Sequence, residues 1–206
     1  MKRAPAARRL AILDAAAHAI ARHGFHGMSM RALAAATGQS LGAFYNHFPS
    51  KEEVLLRIQA DAFEAMIASA AEALRGIGSP PDRLFAFIDQ HVRFVAAHRD
   101  VMRVLVEEAG ALPPRGRARV RRLKERYYGL AREIVGRIVR QGGAGVGERD
   151  LERQTYGVFG MLNWVYGWYE KARHGSPAEV AAALHRLAMG GLSSPAPAVR
   201  LSRVAR

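Results

Sequence analysis

The sequence predicts an all-α protein: a small N-terminal three-helix head joined through a fourth helix to a larger all-helical body. Three observations predict it. Apolar residues recur at three- and four-residue steps along almost the whole chain, and runs of alternating β-branched residues are missing. Glycine, proline and serine punctuate these periodic stretches at helix-length intervals.

The elements follow in order. A first helix runs from about Ala6 to His23, with Leu10, Leu13, Ala16, Ala17 and Ile20 as its inner face and Gly24 as its C-terminal cap. A second spans Ser29 to Thr37, a turn follows at Gly38, and a third runs from Ser40 to about His47 before Phe48-Pro49 breaks it. Ser50-Lys51-Glu52-Glu53 opens helix 4 with a capping box, in which Ser50 and Glu53 are expected to satisfy each other's amides. Helix 4 reaches about Leu74, and the turn-rich Gly76–Pro81 stretch is the clearest boundary in the chain. Beyond it, predicted helices 5 to 9 occupy about 82–98, 100–109, 114–141, 148–172 and 177–189. The domain reading is a head over 1–55, a body over 56–192 and a basic tail over 193–206.

Composition narrows the function classes. The chain has 206 residues, 50% hydrophobic and 24% charged, the balance of an ordinary globular protein. It has no cysteine, which excludes disulfides, thiolate nucleophiles and cysteine metal sites and points to a reducing cytoplasm. The net charge of +13 favours acidic partners, nucleic acid first. Most of that excess lies in the 115–140 stretch, with ten Lys/Arg against Glu125 and Glu133. Arg8-Arg9 ahead of an apolar stretch mimics an export signal, but Asp14 and His18 interrupt it, so an amphipathic first helix is expected. No apolar run is long enough to span a bilayer, so no membrane partner is expected. Gly142–Gly147 mimics a phosphate-binding loop without the preceding strand such a loop needs, and reads as a connector.

The function-bearing pattern lies at 29–47. A helix-turn-helix needs a small residue where its helices cross, a glycine able to adopt positive φ in the turn, and an apolar wedge under the second helix. Ala34, Gly38 and Phe44 supply them, and Ser29 and Ser40 are N-caps whose helix starts can offer amides to phosphate. Those three positions alone also fit a structural αα-hairpin. The flanks are more specific. Ile12-Leu13-Asp14-Ala15-Ala16, Gly24-Phe25, Ser29-Met30-Arg31-Ala32-Leu33-Ala34, Gly38 and the run Ser40 to Glu53 together closely resemble the TetR family of one-component repressors.

That resemblance covers about residues 8–56. It implies a homodimer whose paired heads bind a double-stranded DNA operator, and a ligand-binding and dimerisation body whose helix 4 swings when ligand enters. It further implies that Ser29, Tyr45, His47 and Lys51 meet phosphates, while Gln39, Ser40, Leu41, Gly42, Ala43 and Asn46 face the major groove. Chemistry agrees for most of these, since Tyr and Lys reach phosphate oxygens and so position a protein without reading sequence. Two positions depart from the family pattern. Gln39 either reads adenine through its amide or caps the turn in solvent, and Leu41 either touches a thymine methyl or packs on the head.

The body carries a second resemblance. Phe159-Gly160-Met161-Leu162-Asn163-Trp164-Val165-Tyr166-Gly167-Trp168-Tyr169, with Leu184, Leu187 and Gly191-Leu192, resembles a TetR subgroup that regulates fatty-acid and sterol breakdown in response to acyl-CoA thioesters. It implies a small hydrophobic effector and a dimer interface made by helices 8 and 9. Phe159, Asn163, Trp164 and Trp168 are candidate ligand contacts, though an aromatic stripe at helical spacing also serves as core or interface. Phe85, Ile88, Val92, Val104 and Leu105 are the candidate apolar wall. Arg122 and Arg126, on one face with Arg115 and Arg119, are candidates for the CoA phosphates, with a solvated basic face as the alternative.

Three rival functions compete with this one. A multidrug-type efflux repressor of the same fold would need carboxylates such as Glu107 or Glu108. A non-specific DNA-binding architectural protein would fit the charge but would not need the aromatic body. An enzyme is not expected, because the chain lacks His-Glu-x-x-His, a nucleophile elbow and a Walker loop, and its histidines are scattered. No cofactor or metal is expected.

Overall fold

The capping signals set the helix ends. A computed structural model describes residues 3–141 and 147–192, with side chains described from Ala11 onward. The expected inner-face residue Leu10, the Gly142–Val146 part of the glycine stretch and the 193–206 tail lie outside those described side chains and residues. The first helix, α1 (Arg3–His23), stops at Gly24, which takes φ +71° and closes on the Ile20 carbonyl. Then come α2 (Met30–Ala36), α3 (Leu41–His47) and α4 (Lys51–Ala73), each capped by the serine before it. Ser50 Oγ accepts from Glu53 N at 3.2 Å, but the Glu53 carboxylate turns forward to Arg57 Nε at 2.9 Å. The reciprocal half of the expected capping box is therefore replaced by an i,i+4 ion pair.

The chain turns at Gly76, which takes φ +74°, the two prolines open the next helix instead of belonging to the turn, and Arg83 Nη1 donates to the Leu74 and Ile77 carbonyls in the connection after α4. Beyond it lie α5 (Pro80–Ala97), α6 (Arg99–Glu107), α7 (Pro114–Gln141), α8 (Glu148–Asn163), α9 (Val165–Trp168), α10 (Lys171–His174) and α11 (Pro177–Leu192). No strand occurs among the described residues. In the body, α5 packs between α4, α7 and α11, with Phe87 fully buried against Tyr127 and Phe159. The head rests on the body twice, through the continuous α4 and through α1 packed on α6.

One predicted helix is divided. The 148–172 stretch breaks after Asn163 into α8, α9 and α10. Val165 and Tyr166 are both buried while Trp164 is exposed, a pattern that one straight helix facing one core does not produce. Arg99 Nε donates to the Tyr166 carbonyl at 2.6 Å and so takes an acceptor the helix would have used.

Candidate DNA-binding surface and ligand cavity

The head builds a short, outward-facing helix from local chemistry. Ser29 Oγ accepts from Ala32 N and Ser40 Oγ from Ala43 N, which starts α2 and α3. Between them Gly38 takes φ +66°, a conformation that a side chain would strain, although nothing lies within 4 Å of a Cβ placed there. Thr37 Oγ1 and Gln39 N both donate to the Ala34 carbonyl at 2.9 Å, tying the turn to the helix crossing. Phe44 is the fully buried wedge, 5.2 Å from the equally buried Phe48. Burying Phe44 forces its successors outward: Tyr45 is 48% exposed, and Asn46 and His47 are exposed beside it.

The remaining expected contacts divide. Ser29, Ser40 and Gly42 are exposed, while Gln39, Leu41 and Ala43 are half-buried. Leu41 packs against the head core, and Gly42 has open space where a side chain would project. Lys51 is tied inward: its Nζ lies 3.4 Å from the Met28 carbonyl and 4.7 Å from the Phe25 ring centroid. It holds the loop before α2 as well as placing a cation at the start of α4.

A cavity of about 540 Å³ opens in the body between α4, α6, α7 and α8. Its apolar walls include Phe63 and Met66 from α4, Met102, Leu105 and Val106 from α6, and Tyr127, Tyr128, Tyr156 and Phe159 from α7 and α8. Arg121, Lys124 and Glu125 supply the charge, and His91 and Asn163 the neutral polar groups. Arg121 leans on Glu125 at 3.7 Å. Lys124 has no carboxylate partner among the described residues, its Nζ lies 5.7 Å from the Phe63 ring centroid, and burial pulls its ammonium pKa down.

Of the candidate ligand contacts, Leu105, Phe159 and Asn163 line this cavity. The others fall elsewhere. Ile88 and Val92 are wholly buried in the core because the inner face of α5 meets α7 and α11. Phe85 sits half in solvent, 5.5 Å from His185, and Val104 faces the head beside Ile20 and Gly24. Trp164 is exposed, and Trp168 packs on His174. Arg122 and Arg126 are exposed and lie off the cavity lining, while half-buried Lys124 and the exposed Arg121 border it, a turn of about 100° per residue around α7. Neither Glu107 nor Glu108 lines the cavity. Glu107 pairs with Arg103, and Glu108 Oε1 accepts from Phe25 N at 2.8 Å, clasping the head to the end of α6. At the other end of α6, Asp100 pairs with His18 of α1 at 2.7 Å.

The cavity wall contains a buried polar group of unusual character. Gln90 Nε2 donates to the Tyr127 hydroxyl at 2.6 Å, and that hydroxyl lies 3.0 Å from His91 Nδ1. Burial raises the Tyr127 phenol, opposed by the Gln90 bond, so the phenol keeps its proton. Gln90 Oε1 is left without a hydrogen bond among the described residues, and an orphaned buried polar group costs on the order of 1–3 kcal/mol. Burial lowers the His91 imidazole from 6.5 to about 4, against a weaker upward pull from its hydrogen bond to the Leu162 backbone.

This shift carries a stability prediction. Above pH 6.5 His91 is neutral in both folded and unfolded chains. As pH falls from 6.5 towards 4, the unfolded chain takes up a proton that the folded one refuses, so stability drops. The loss from this group should total about 3 kcal/mol and stop below pH 4. Urea unfolding of the wild type and His91→Gln across that range reads it out. Parallel curves for the two proteins would show that the imidazole titrates normally.

Known proteins share this architecture. Residues 12–58 match the family described as bacterial regulatory proteins, tetR family, and residues 78–192 match the tetracyclin repressor-like C-terminal domain. The chain is 33% identical over 84 residues to the HTH-type transcriptional repressor AcnR of Corynebacterium efficiens. That match covers 38% of this chain and 45% of AcnR, so it spans less than half the curated relative. Among solved structures, the TetR family transcriptional regulator PfmR from Thermus thermophilus superposes with a TM-score of 0.77 at 30% identity, covering 87% of this chain and 97% of PfmR. AibR, solved in complex with isovaleryl coenzyme A and operator DNA, shares the fold with a TM-score of 0.76 at 24% identity, covering 87% of this chain and 97% of AibR.

Proposed function

Because this chain belongs to the TetR family of bacterial regulatory proteins, we propose that it is a homodimeric repressor that grips a palindromic operator and lets go when an acyl-CoA thioester fills its body cavity. One observation carries the DNA-binding half: the buried Phe44 wedge turns Tyr45, Asn46 and His47 outward together on a seven-residue helix. In this reading residues 1–55 bind DNA and 56–192 bind effector and partner. Ser29, Tyr45, His47 and Lys51 hold phosphates, while Gln39, Ser40, Leu41, Gly42, Ala43 and Asn46 face the groove.

The cavity supports the effector half. Its volume suits a small amphipathic ligand, and its walls are largely aromatic and aliphatic. Lys124, without a carboxylate partner among the described residues, and Arg121 are placed for the phosphates of a CoA headgroup. AibR, of the same fold, has been solved in complex with isovaleryl coenzyme A and operator DNA. The cavity also touches both supports of the head: α4 runs directly into it, and α6 clasps it through Asp100–His18 and Glu108–Phe25. An effector that displaces either helix changes where the head points, so ligand energy spent on the body becomes a change in head spacing.

The experiment compares operator and scrambled DNA at one stated salt concentration. Tyr45→Ala should weaken binding to every sequence alike, while Gln39→Ala and Asn46→Ala should change base preference by about tenfold at single positions. Equal losses across a randomised operator for all three variants would defeat the assignment. Acyl-CoA should release the operator where the free acid does not.

A further inference from the structure

We infer that the outer face of α7, carrying Arg115, Arg122 and Arg126, is the surface that draws duplex DNA to the protein, supplying a phosphate attraction that the reading head lacks. The inference rests on the DNA-binding reading of the head and adds to it the source of the attraction.

The head is poorly charged for its task. From Ser29 to Lys51, the span that holds the expected DNA contacts, the only lysines and arginines are Arg31 and Lys51. Lys51 is tied to the Met28 carbonyl and the Phe25 ring, and α3 itself carries neither lysine nor arginine. Affinity for DNA of any sequence grows with the number of phosphates that such cations neutralise. From Arg115 to Arg126, by contrast, seven Lys/Arg stand against Glu125.

Helix geometry divides these charges between two faces of α7. At about 100° per residue, Arg115, Arg122 and Arg126 fall within about 40° of one another, with Arg119 at their edge. Lys124 and Arg121 lie on the other side, where they border the cavity. The outer three are exposed, and none has a carboxylate partner among the described residues, since Glu64 and Glu125 pair with Arg119 and Arg121 instead. Exposed arginines elsewhere in the body do find partners, as Arg93, Arg103, Arg137 and Arg153 show.

The stripe starts at the head end of the body. Glu108, which holds the head through Phe25 N, precedes the start of α7 by six residues. Arg119 pairs with Glu64, which lies about 20 Å along α4 from Lys51. At such a range a guanidinium acts on phosphates through its field, which reaches about 10 Å at 0.1 M salt and about 30 Å at 0.01 M. A field of this kind speeds encounter and steepens the response to salt without reading sequence.

The test measures association and dissociation rates of the full chain with two duplexes: one the protein enriches from a random pool, and a scrambled one of equal length. The triple variant Arg115→Gln, Arg122→Gln, Arg126→Gln should associate about five- to tenfold more slowly with both at about 20 mM salt, the gap closing as salt rises. Its salt slope should be shallower by about 1–2, while dissociation and base preference stay as in the wild type. A matched variant, Arg137→Gln, Arg140→Gln, Arg149→Gln, removes the same charge at the far end of α7 and the start of α8 and should associate like the wild type. Melting temperature checks that both variants fold. A triple variant that associates as fast as the wild type overturns the inference and leaves α7 with a merely solvated face. Equal slowing in the matched variant also overturns it, because net charge alone would then be acting. So does a salt response that weakens only in Arg8→Gln, Arg9→Gln. A wild type that enriches no duplex and does not bind the scrambled one ends the DNA-binding reading, and this inference with it.

Discussion

Replacing Phe44 with alanine should cost about 3–5 kcal/mol and abolish operator binding, because the side chain is wholly buried and the helix it supports cannot stand alone. The α3 helix has seven residues, well under the length of about 12–15 at which an isolated helix becomes even marginal in water. Its Ser40 cap stabilises it only modestly. What holds it against the head is the Phe44 ring beside Phe48, so deleting the ring leaves a cavity directly beneath the reading surface. Denaturant unfolding and operator titration measure the two effects on one sample. Phe44→Leu, which keeps most of the volume, should retain much of both. The neighbouring Tyr45→Ala makes the needed contrast, since it removes a half-exposed ring and should leave stability within about 0.5 kcal/mol while still weakening DNA binding. A Phe44→Ala protein as stable as wild type and still bound to operator would mean that α3 is held by something other than its wedge.

The head was legible in the sequence because its signals are local. Ser29, Ser40 and Ser50 each cap the helix that follows, and Gly24, Gly38 and Gly76 sit at the positive φ angles where helices stop or turn. Each of these needs only a few neighbouring residues to be recognised. Lys51 was less legible, since its attachment to Met28 and the Phe25 ring joins residues more than twenty positions apart.

The body resisted the same reading for a physical reason. Helical periodicity tells which face turns from water, but not whether that face meets side chains or a void. Ile88 and Val92 on α5 and Phe63 and Met66 on α4 carry the same apolar signal, yet only the α4 pair lines the cavity. On α7, where arginines stand on nearly every face, the choice of Arg121 and Lys124 over Arg122 and Arg126 depends on a rotation of one residue. The end of α9 involves Arg99, 67 residues away, capturing the Tyr166 carbonyl that a continuing helix would have used. His91 signalled nothing in sequence. Its burial beside Tyr127, with Leu162 acting through its backbone, joins residues tens of positions apart.

Introducing glutamate at both Trp164 and Leu187 should convert the dimer to monomers and reduce operator affinity by a factor on the order of 10² to 10⁴. The family resemblance implies a dimer interface made by predicted helices 8 and 9, which fall on α8 and α11 of the structure, and that interface supplies the reason. Trp164 is 62% exposed and Leu187 66%, an unusual placement for side chains of this size unless something covers them. On α8, Gly160 and Gly157 have open space above their Cα atoms, about one and two turns before Trp164, which lets a facing helix approach closely. Seating two carboxylates per protomer in such a contact leaves charges buried without partners, a far larger penalty than the packing lost. Both sites are exposed within the protomer, so its own fold should survive, as the melting curve at low concentration would show. The operator effect follows from geometry: each head holds only one half-site, and the second is won through the link between heads, not through new contacts. Affinity for an isolated half-site should therefore be unchanged, while affinity for the full palindrome falls to that level. Sedimentation measures the first consequence and titration of the two DNA lengths the second. A double variant that still sediments as a dimer would move the interface off this face. A monomer that keeps full palindrome affinity would break the link between pairing and DNA recognition.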